Sequence, residues 1–168
     1  FWVGVAVFLA LADQVTKWAV IEWLTLVNEG GEIRYRTEEI LPPVLTILLQ
    51  KNPGAAWGFL ADQSGWQRYF FIVLASDVSL AIVVWLYKIR AEGPVILQAG
   101  LAFVLGGAVG NLVDRVRLGY VTDFIQVWFG NWAFPSFNVA DSAISVGAAL
   151  LIIEALFLTG RETKKTGD

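Results

Sequence analysis

Four long apolar stretches constrain the fold of this 168-residue chain more than any other feature. They cover roughly residues 1–21, 69–87, 95–113 and 139–158. A helix of about 20 mostly apolar residues crosses about 30 Å of hydrocarbon. Charged residues make up only 16% of the chain, against about 25% in soluble domains. The sequence therefore predicts a membrane all-α fold with four transmembrane helices, formed by a single domain of residues 1–168.

The distribution of basic residues predicts how these helices cross the membrane. Four spans place both chain ends and residues 88–94 on one side, and the segments 22–68 and 114–138 on the other. Lys and Arg are denser near cytoplasmic span ends. The first side holds Lys88, Arg90, Arg161, Lys164 and Lys165 within few residues, whereas Arg34, Arg36, Lys51, Arg68, Arg115 and Arg117 are spread thinly over the second. We expect cytoplasmic termini and outer segments 22–68 and 114–138.

The first outer segment predicts a small extracytoplasmic β/loop element. Residues 31–36 alternate enough to form a short strand, and residues 41–49 fit either a strand or an interfacial helix. Residues 52–60 follow, with Gly54 and Gly58 on either side of apolar residues. We interpret this part as a lid segment with two glycine hinges.

The residue inventory removes several kinds of chemistry. The chain has no Cys and no His, which excludes thiol nucleophiles, imidazole bases and the usual metal ligands. We therefore expect neither a metal nor a cofactor, and carboxylates, Lys, Ser/Thr and Tyr are the remaining candidates. The basic residues form no cluster that could follow phosphates, so nucleic acid is not an expected partner. Met is also absent, which is typical of a trimmed, processed or redesigned sequence.

Several ionisable residues fall inside the predicted spans. Such residues mark functional sites or neutralise one another. Asp13 follows about 18 Å of helix and Lys17 lies one turn further, so the two can form a pair within the first helix. Asp77 falls near the middle of the second span. It is protonated, partnered by Ser76 or Ser79, or faces a polar interior.

The outer ends of the third and fourth spans carry further polar residues. Asp114 and Arg115 end the third span, where they can anchor it at the interface and neutralise each other. Asp141 lies in the first turn of the fourth span, where an acidic residue favours a helix N-terminus. Asp123 stands in a short apolar stretch of the outer segment without a local partner, and a second carboxylate would supply one. The glycines of the third span are expected to permit close helix packing: Gly100, Gly106, Gly107 and Gly110.

Five blocks of residues with polar side chains follow one another along the chain. The blocks are Asp13-Gln14-Val15-Thr16-Lys17, residues 52–58, Gly110-Asn111-Leu112-Val113-Asp114-Arg115, Val121-Thr122-Asp123-Phe124 and Phe137-Asn138-Val139-Ala140-Asp141-Ser142. In these blocks, and over nearly its whole length, the chain resembles the bacterial lipoprotein signal peptidases, or signal peptidase II family. Each block alone is a weak signal, whereas five in the family's order and spacing are specific.

The resemblance implies an aspartic endopeptidase of the bacterial inner membrane. It would remove signal peptides from diacylglyceryl-modified prolipoproteins, cutting before the lipidated cysteine, at the level of the outer leaflet. The catalytic pair corresponds to Asp123 and Asp141. Positions that line the site correspond to Asn52, Asn111, Arg115 and Asn138, and supporting polar positions to Asp13, Lys17 and Asp114. The partners would be the lipid-modified substrate and membrane lipids, and we expect a monomer because the site needs one chain.

Two other functions fit the same inventory. A small proton-coupled membrane transporter also uses carboxylates within the membrane, but it predicts polar groups at several depths that form a path. A catalytically inactive or redesigned analogue would keep the fold without the activity. Cleavage of a lipid-modified prolipoprotein distinguishes both alternatives from the peptidase.

Overall fold

Four long helices and six short strands form the protein in a computed structural model, which describes residues 1–54 and 65–158. The helices are α1 (Trp2–Leu24), α2 (Trp66–Ile89), α3 (Val95–Arg117) and α4 (Val139–Ile153), and a π-helical turn, Glu154–Leu158, continues α4. The strands are β1 (Thr25–Val27), β2 (Ile33–Tyr35), β3 (Glu38–Leu41), β4 (Leu45–Asn52), β5 (Val121–Phe129) and β6 (Trp132–Ala133). All four helices are long and apolar enough to cross a membrane, as predicted.

Three helices extend beyond the predicted spans on the side of segments 22–68 and 114–138, which the sequence predicts to be the outer side. α1 ends at Leu24, α2 begins at Trp66 and α3 continues to Arg117. Asp114 and Arg115 therefore lie inside the last turns of α3 rather than beyond its end. A helix can carry these charges because Asp114 is buried against other protein groups and not against lipid.

α3 is the central helix of the bundle and packs against α1, α2 and α4. Its glycines allow this, as predicted, because their hydrogen side chains leave room for neighbouring backbones. A Cβ on Gly106 would lie 2.7 Å from Cβ of Leu9 in α1, and one on Gly100 would lie 2.8 Å from Cδ2 of Leu151 in α4. At Gly107 a Cβ would overlap the backbone carbonyl of Ala140. These glycines therefore allow α3 to lie close to α1 and to α4.

The outer strands form two antiparallel sheets. β1 pairs with β2, and the second sheet has the order β3-β4-β5-β6. Residues 41–49, left open between strand and interfacial helix, belong mainly to β4, while the strand expected in residues 31–36 is β2. β4 pairs with β5 so that Gln50 faces Asp123 and Asn52 faces Val121. This pairing brings the first outer segment beside the second.

The lid segment lies only partly within the described residues. Asn52 ends β4, and the Asn52 side-chain oxygen accepts a hydrogen bond of 3.0 Å from the backbone N–H of Gly54. Residues 55–64, including the proposed hinge Gly58, and the basic residues of the C-terminal tail lie outside the described residues.

Asp77 lies on the exposed face of α2. The side chain is exposed, so the predicted polar interior around it is wrong. The proposed serine partners do not contact it either: Ser76 donates its hydroxyl to the backbone oxygen of Ile72, and the buried hydroxyl of Ser79 has no hydrogen-bond partner in the described part of the chain.

Candidate active site

A buried ion network joins α1 to α3 beneath the outer sheet. Lys17 Nζ lies 2.8 Å from Asp13 Oδ2 and 3.0 Å from Asp114 Oδ2. All three side chains are nearly inaccessible, with Asp13 fully buried. The predicted pairing of Asp13 with Lys17 is confirmed. The predicted pairing of Asp114 with Arg115 is wrong, because α3 continues past Asp114 and turns this carboxylate toward α1, where Lys17 is its ion-pair partner.

The same carboxylates hold the starts of two later elements. Asp13 Oδ1 accepts a 2.9 Å hydrogen bond from the backbone N–H of Ala140, in the first turn of α4. Asp114 Oδ2 accepts a 2.9 Å hydrogen bond from the backbone N–H of Thr122, at the start of β5. Ala140 precedes Asp141, and Thr122 precedes Asp123. Asp13 and Asp114 therefore fix the backbone next to each of the two candidate catalytic residues.

Gln14 also belongs to this network, although no site role was predicted for it from the sequence. Its amide nitrogen donates hydrogen bonds to Asp114 Oδ1 at 2.9 Å and to the backbone oxygen of Gly110 at 3.1 Å. The available signal was that Gln14 lies within the run of polar residues Asp13, Gln14, Thr16 and Lys17 in α1. An amide there satisfies carboxylate oxygens that would otherwise be buried without a donor.

Asn111 links the buried network to Asp141. Its Oδ1 accepts a 3.1 Å hydrogen bond from Lys17 Nζ, and its Nδ2 donates a 2.8 Å hydrogen bond to Asp141 Oδ1. The lysine can only donate, so it fixes which end of the amide faces α1. The donor end of Asn111 is thereby directed at the carboxylate of Asp141.

Asn138 contacts both candidate catalytic carboxylates. Its Nδ2 donates a 2.7 Å hydrogen bond to Asp123 Oδ1, and its Oδ1 accepts a 2.9 Å hydrogen bond from the backbone N–H of Asp141. The Asp141 carboxylate in turn accepts a 3.2 Å hydrogen bond from the Asn138 backbone N–H, which completes a capping box. The predicted capping role of Asp141 is confirmed, and its second carboxylate oxygen remains turned to Asn111.

Asp123 is buried in β5 and receives two asparagine hydrogen bonds. Asn52 Nδ2 donates to its Oδ2 at 3.0 Å, opposite the bond from Asn138. Loss of water around the carboxyl, together with the negative charge of Asp141, raises the pKa of Asp123 to about 7. The hydrogen bonds from Asn52 and Asn138 and the charge of Lys17 act in the opposite direction. A proton is therefore readily available at this carboxyl near neutral pH.

The two aspartates line the outer end of a groove of about 1130 Å³ between α2 and α4, with α3 behind it. Its apolar part is lined by Phe71, Leu74, Ala75 and Val78 of α2, Val104 and Ala108 of α3, and Ile144 and Val146 of α4. Its polar end is lined by Gln50, Lys51, Asn52, Asn111, Arg115, Asp123 and Asp141. The groove thus combines an apolar wall with a polar end at which the two aspartates lie.

Arg115 lies at the polar end with part of its donor capacity unused. Its Nη2 donates a 2.8 Å hydrogen bond to the backbone oxygen of Gly54, and its guanidinium lies 5.0 Å from the ring centre of Phe71. The buried Nε has no hydrogen-bond partner within the described residues. A donor in this state can bind a further acceptor, such as a carbonyl oxygen of a molecule in the groove.

The structure brings together every site residue predicted from the sequence. Asp123 and Asp141 face the groove with Asn52, Asn111, Arg115 and Asn138 around them, while the network of Asp13, Lys17 and Asp114 lies behind. These residues come from α1, β4, α3, β5 and the start of α4. Chain segments far apart in sequence therefore meet at one level of the bundle.

Comparison with known proteins identifies the family. A family model described as signal peptidase (SPase) II matches residues 5–157. The lipoprotein signal peptidase of Acinetobacter baumannii is 42% identical over 165 residues, which are 98% of this chain and 88% of that protein. The lipoprotein signal peptidase of Pseudomonas aeruginosa is 42% identical over 168 residues, 99% of this chain and 91% of that protein.

Solved structures agree with this relationship. One bacterial membrane enzyme, determined by the in meso method, superposes with a TM-score of 0.77 at 32% identity, covering 99% of this chain and 93% of the other. A second gives a TM-score of 0.74 at 33% identity, covering 94% and 93%. The four membrane-spanning helices and these relatives together define a multi-pass membrane peptidase. The chain belongs to the signal peptidase II family.

Proposed function

We propose that this protein is an aspartic endopeptidase that removes signal peptides from diacylglyceryl-modified prolipoproteins, cutting before the lipidated cysteine. Asp123 and Asp141 are its catalytic pair. The observation that carries the proposal is that both carboxylates line the polar end of one largely apolar groove, each held by asparagine donors. The names of the relatives support the substrate class.

Hydrolysis by two carboxylates requires one proton shared between them. Two neighbouring carboxyls do not both ionise cheaply, so one is charged while the other keeps its proton. The charged one takes a proton from a water molecule, whose oxygen attacks the scissile carbonyl carbon. The other protonates the carbonyl oxygen, which gives a gem-diol. The first carboxyl then passes the proton that it took from water to the leaving amine as the C–N bond breaks, and the second recovers a proton from a hydroxyl of the gem-diol, so the pair again holds one proton. The pKa of about 7 for Asp123 supports such sharing near neutral pH.

The asparagines and Arg115 orient these groups and the substrate. Asn138 and Asn52 hold Asp123 from two sides, and Asn111 holds Asp141. The Nε of Arg115, which has no hydrogen-bond partner among residues 1–54 and 65–158, is suited to bind a substrate carbonyl or the developing oxyanion. The network of Asp13, Lys17 and Asp114 acts as support, because it holds backbone next to the pair.

The apolar part of the groove suits the hydrophobic segment of a signal peptide. A helical segment keeps its backbone hydrogen bonds satisfied while its side chains lie between α2 and α4. A diacylglyceryl cysteine would keep its acyl chains in the surrounding lipid. With cytoplasmic termini, the polar end of the groove lies at the outer leaflet of the bacterial inner membrane, where such a cysteine is located. One chain supplies the complete site.

The transporter alternative is not favoured by the position of the polar side chains. A transport path needs polar groups at successive depths. In the described residues, the buried ionisable side chains of α1 and α3 and both aspartates of the groove gather near the outer sheet, while Glu154 is buried at the opposite end of α4. Glu154 does not line the groove, and among the described residues no ionisable side chain of the groove lies between it and the two aspartates.

The proposal is tested by incubating the purified protein with a diacylglyceryl-modified prolipoprotein and measuring the size shift on cleavage. Asp123→Asn and Asp141→Asn should each abolish the shift, and the unmodified precursor should be a poor substrate. Glu39→Gln is the matched control, since it removes an exposed carboxylate of the same sheet. Robust cleavage by either aspartate variant would rule out the pair, and no cleavage by the unaltered chain would favour the inactive analogue.

A further inference from the structure

A side chain of α2 holds the C-terminal end of α3. Arg68 donates a 3.0 Å hydrogen bond from its Nε to the backbone oxygen of Arg115, and a 2.8 Å hydrogen bond from its Nη2 to that of Val116. The last carbonyl oxygens of a helix lack partners from the regular helical pattern. Arg68 therefore satisfies acceptors at the end of the helix that carries Arg115.

The position of Arg68 in its own helix is electrostatically unfavourable. Arg68 is the third residue of α2, which begins at Trp66. A cation is disfavoured near a helix N-terminus and favoured near a C-terminus, because of the helix dipole. The guanidinium of Arg68 lies against the C-terminal carbonyls of α3 instead. The dipoles of both helices therefore favour its placement on α3.

Gly119 leaves room for this contact where α3 turns toward β5. Its backbone has a φ of 86°, a left-handed conformation that glycine adopts readily at the end of a helix. Its backbone N–H donates a 3.2 Å hydrogen bond to the backbone oxygen of Arg115. A Cβ at this position would lie 3.3 Å from Arg68 Nη1. Arg68 thus packs directly on the backbone of this corner.

One turn of α2 contacts both the backbone and the side chain of Arg115. Phe71 lies three residues after Arg68, on the same face of α2. The guanidinium of Arg115 lies 5.0 Å from the ring centre of Phe71, and its Nη2 donates to the backbone oxygen of Gly54. Arg68 holds the backbone from which this side chain extends. The direction of Arg115 is therefore set from its main chain as well as from its tip.

We propose that Arg68 is a positioning residue for the cleavage reaction and acts by directing Arg115 toward the polar end of the groove. The inference rests on the proposed function, in which Arg115 binds a substrate carbonyl or the developing oxyanion. Arg68 is not among the groove-lining residues in the described part of the chain, so it acts through Arg115. A guanidinium is a planar fork with fixed donor directions. A small rotation of the last turn of α3 would turn its Nε away from the substrate.

Removal of the Arg68 guanidinium tests the proposal. Arg68→Met keeps an unbranched side chain, and it should lower kcat for diacylglyceryl-modified prolipoprotein about 10-fold, because misplaced groups contribute less to the transition state. KM should change less, since donor direction matters most for the developing oxyanion. Arg90→Met is the matched control: Arg90 donates a 2.7 Å hydrogen bond to the backbone oxygen of Tyr87 at the other end of α2. Equal kcat values for the two variants would overturn the proposal.

A second background separates positioning of Arg115 from stabilisation of α3. Arg115→Lys keeps a positive charge but has neither the planar fork nor the Nε donor. Arg68→Met should therefore lower kcat by less than about two-fold in the Arg115→Lys chain, against about 10-fold in the otherwise unaltered chain. The same loss in both backgrounds would show that Arg68 only stabilises α3. Arg68→Lys, which keeps a cation at the end of α3 but lacks the fork, replaces Arg68→Met if that variant does not fold.

Amide hydrogen exchange distinguishes failure of this inference from failure of the proposed function. If the unaltered chain cleaves no lipid-modified prolipoprotein, the proposed function fails. The positioning of Arg115 can then still be measured at Gly54, whose backbone oxygen Arg115 binds. Arg68→Met should raise the exchange rate of the Gly54 amide about five-fold over Arg90→Met, as expected for the weakening of one hydrogen bond. Equal exchange rates in an inactive chain would overturn the inference.

Discussion

Asn138 donates a 2.7 Å hydrogen bond to Asp123 across the boundary between β5 and α4. The same side chain caps α4 through its oxygen, so a single amide fixes both the start of a helix and the orientation of a carboxylate. Its complete burial excludes water as a substitute partner. The position therefore couples the stability of α4 to the geometry of the site.

Replacing Asn138 with Ala should affect stability and turnover together. Loss of the cap costs about 1 kcal/mol of helix stability, and a misdirected Asp123 should slow cleavage about 100-fold. Thermal unfolding and prolipoprotein cleavage measure the two effects. Asn28→Ala is the control, because Asn28 also accepts backbone hydrogen bonds but in an exposed turn far from the groove. Equal turnover by the two variants would contradict the role of Asn138.

The raised pKa of Asp123 predicts that stability falls as pH rises. The pKa of its carboxyl is about 7 in the folded protein, against 3.8 without the surrounding structure. Between about pH 4 and pH 7 the folded state therefore binds more protons than the unfolded state, which stabilises it at the acidic end of this window. Above about pH 7 this contribution is lost, since folding then buries a charged carboxylate.

Asp123→Asn isolates this effect because the amide does not titrate. The difference in unfolding temperature between Asp123→Asn and the unaltered protein should grow as pH rises from about 5 to 7 and level off above it. Glu39→Gln, which alters an exposed carboxylate, should show a small and nearly constant difference. A difference for Asp123→Asn that does not change with pH would exclude the raised pKa.

Lys17→Met should destabilise the protein strongly, because it leaves Asp13 and Asp114 buried without their cation. Removal of one partner from a buried ion pair costs about 3–5 kcal/mol. The matched control is Arg34→Met, which breaks an exposed pair with Glu32 whose atoms are also 3.0 Å apart. An exposed pair contributes about 1 kcal/mol or less. Denaturant unfolding in detergent compares the two, and similar losses would mean that burial of the network has little energetic weight.

Gly107→Ala should loosen the packing between α3 and α4. The added methyl group would overlap the carbonyl oxygen of Ala140, so α4 must shift. Overpacking of this kind costs about 1–3 kcal/mol, and displacement of Asp141 should reduce turnover as well. Gly4→Ala in α1 is the control, since nothing lies within 4 Å of the added atom there, and it should be neutral or slightly stabilising. Wild-type stability and turnover for Gly107→Ala would show that this close approach is unnecessary.

The helices could be predicted from the sequence because hydrocarbon permits few backbone structures. Apolar length alone located α1 to α4 within a few residues. The sheet could not be located this way, since residues 41–49 are short and their conformation depends on pairing with β5, far along the chain. Register between such distant strands follows from tertiary packing and not from local pattern.

The residues of the candidate site could be predicted from the sequence, but the hydrogen bonds and ion pairs between them could not. Family resemblance indicated Asp123 and Asp141 as the pair. The partner of Asp114 was predicted incorrectly, because the rotation of the last turns of α3 toward α1 depends on the packing at Gly106 and Gly110. Gln14 was missed since an uncharged amide in a helix gives little signal. Long-range hydrogen bonds of this kind become visible only in three dimensions.

The capping box at the start of α4 makes assembly of the site depend on the synthesis of this helix. Asp123 leaves the ribosome before Asn138, and it lacks its 2.7 Å donor until α4 has been synthesised and inserted. Ala140, whose backbone N–H binds Asp13 of α1, also arrives with α4. A nascent chain that has inserted only α1, α2 and α3 therefore holds an incomplete site. A product truncated before α4 would leave Asp123 without its asparagine donor and without Asp141 beside it.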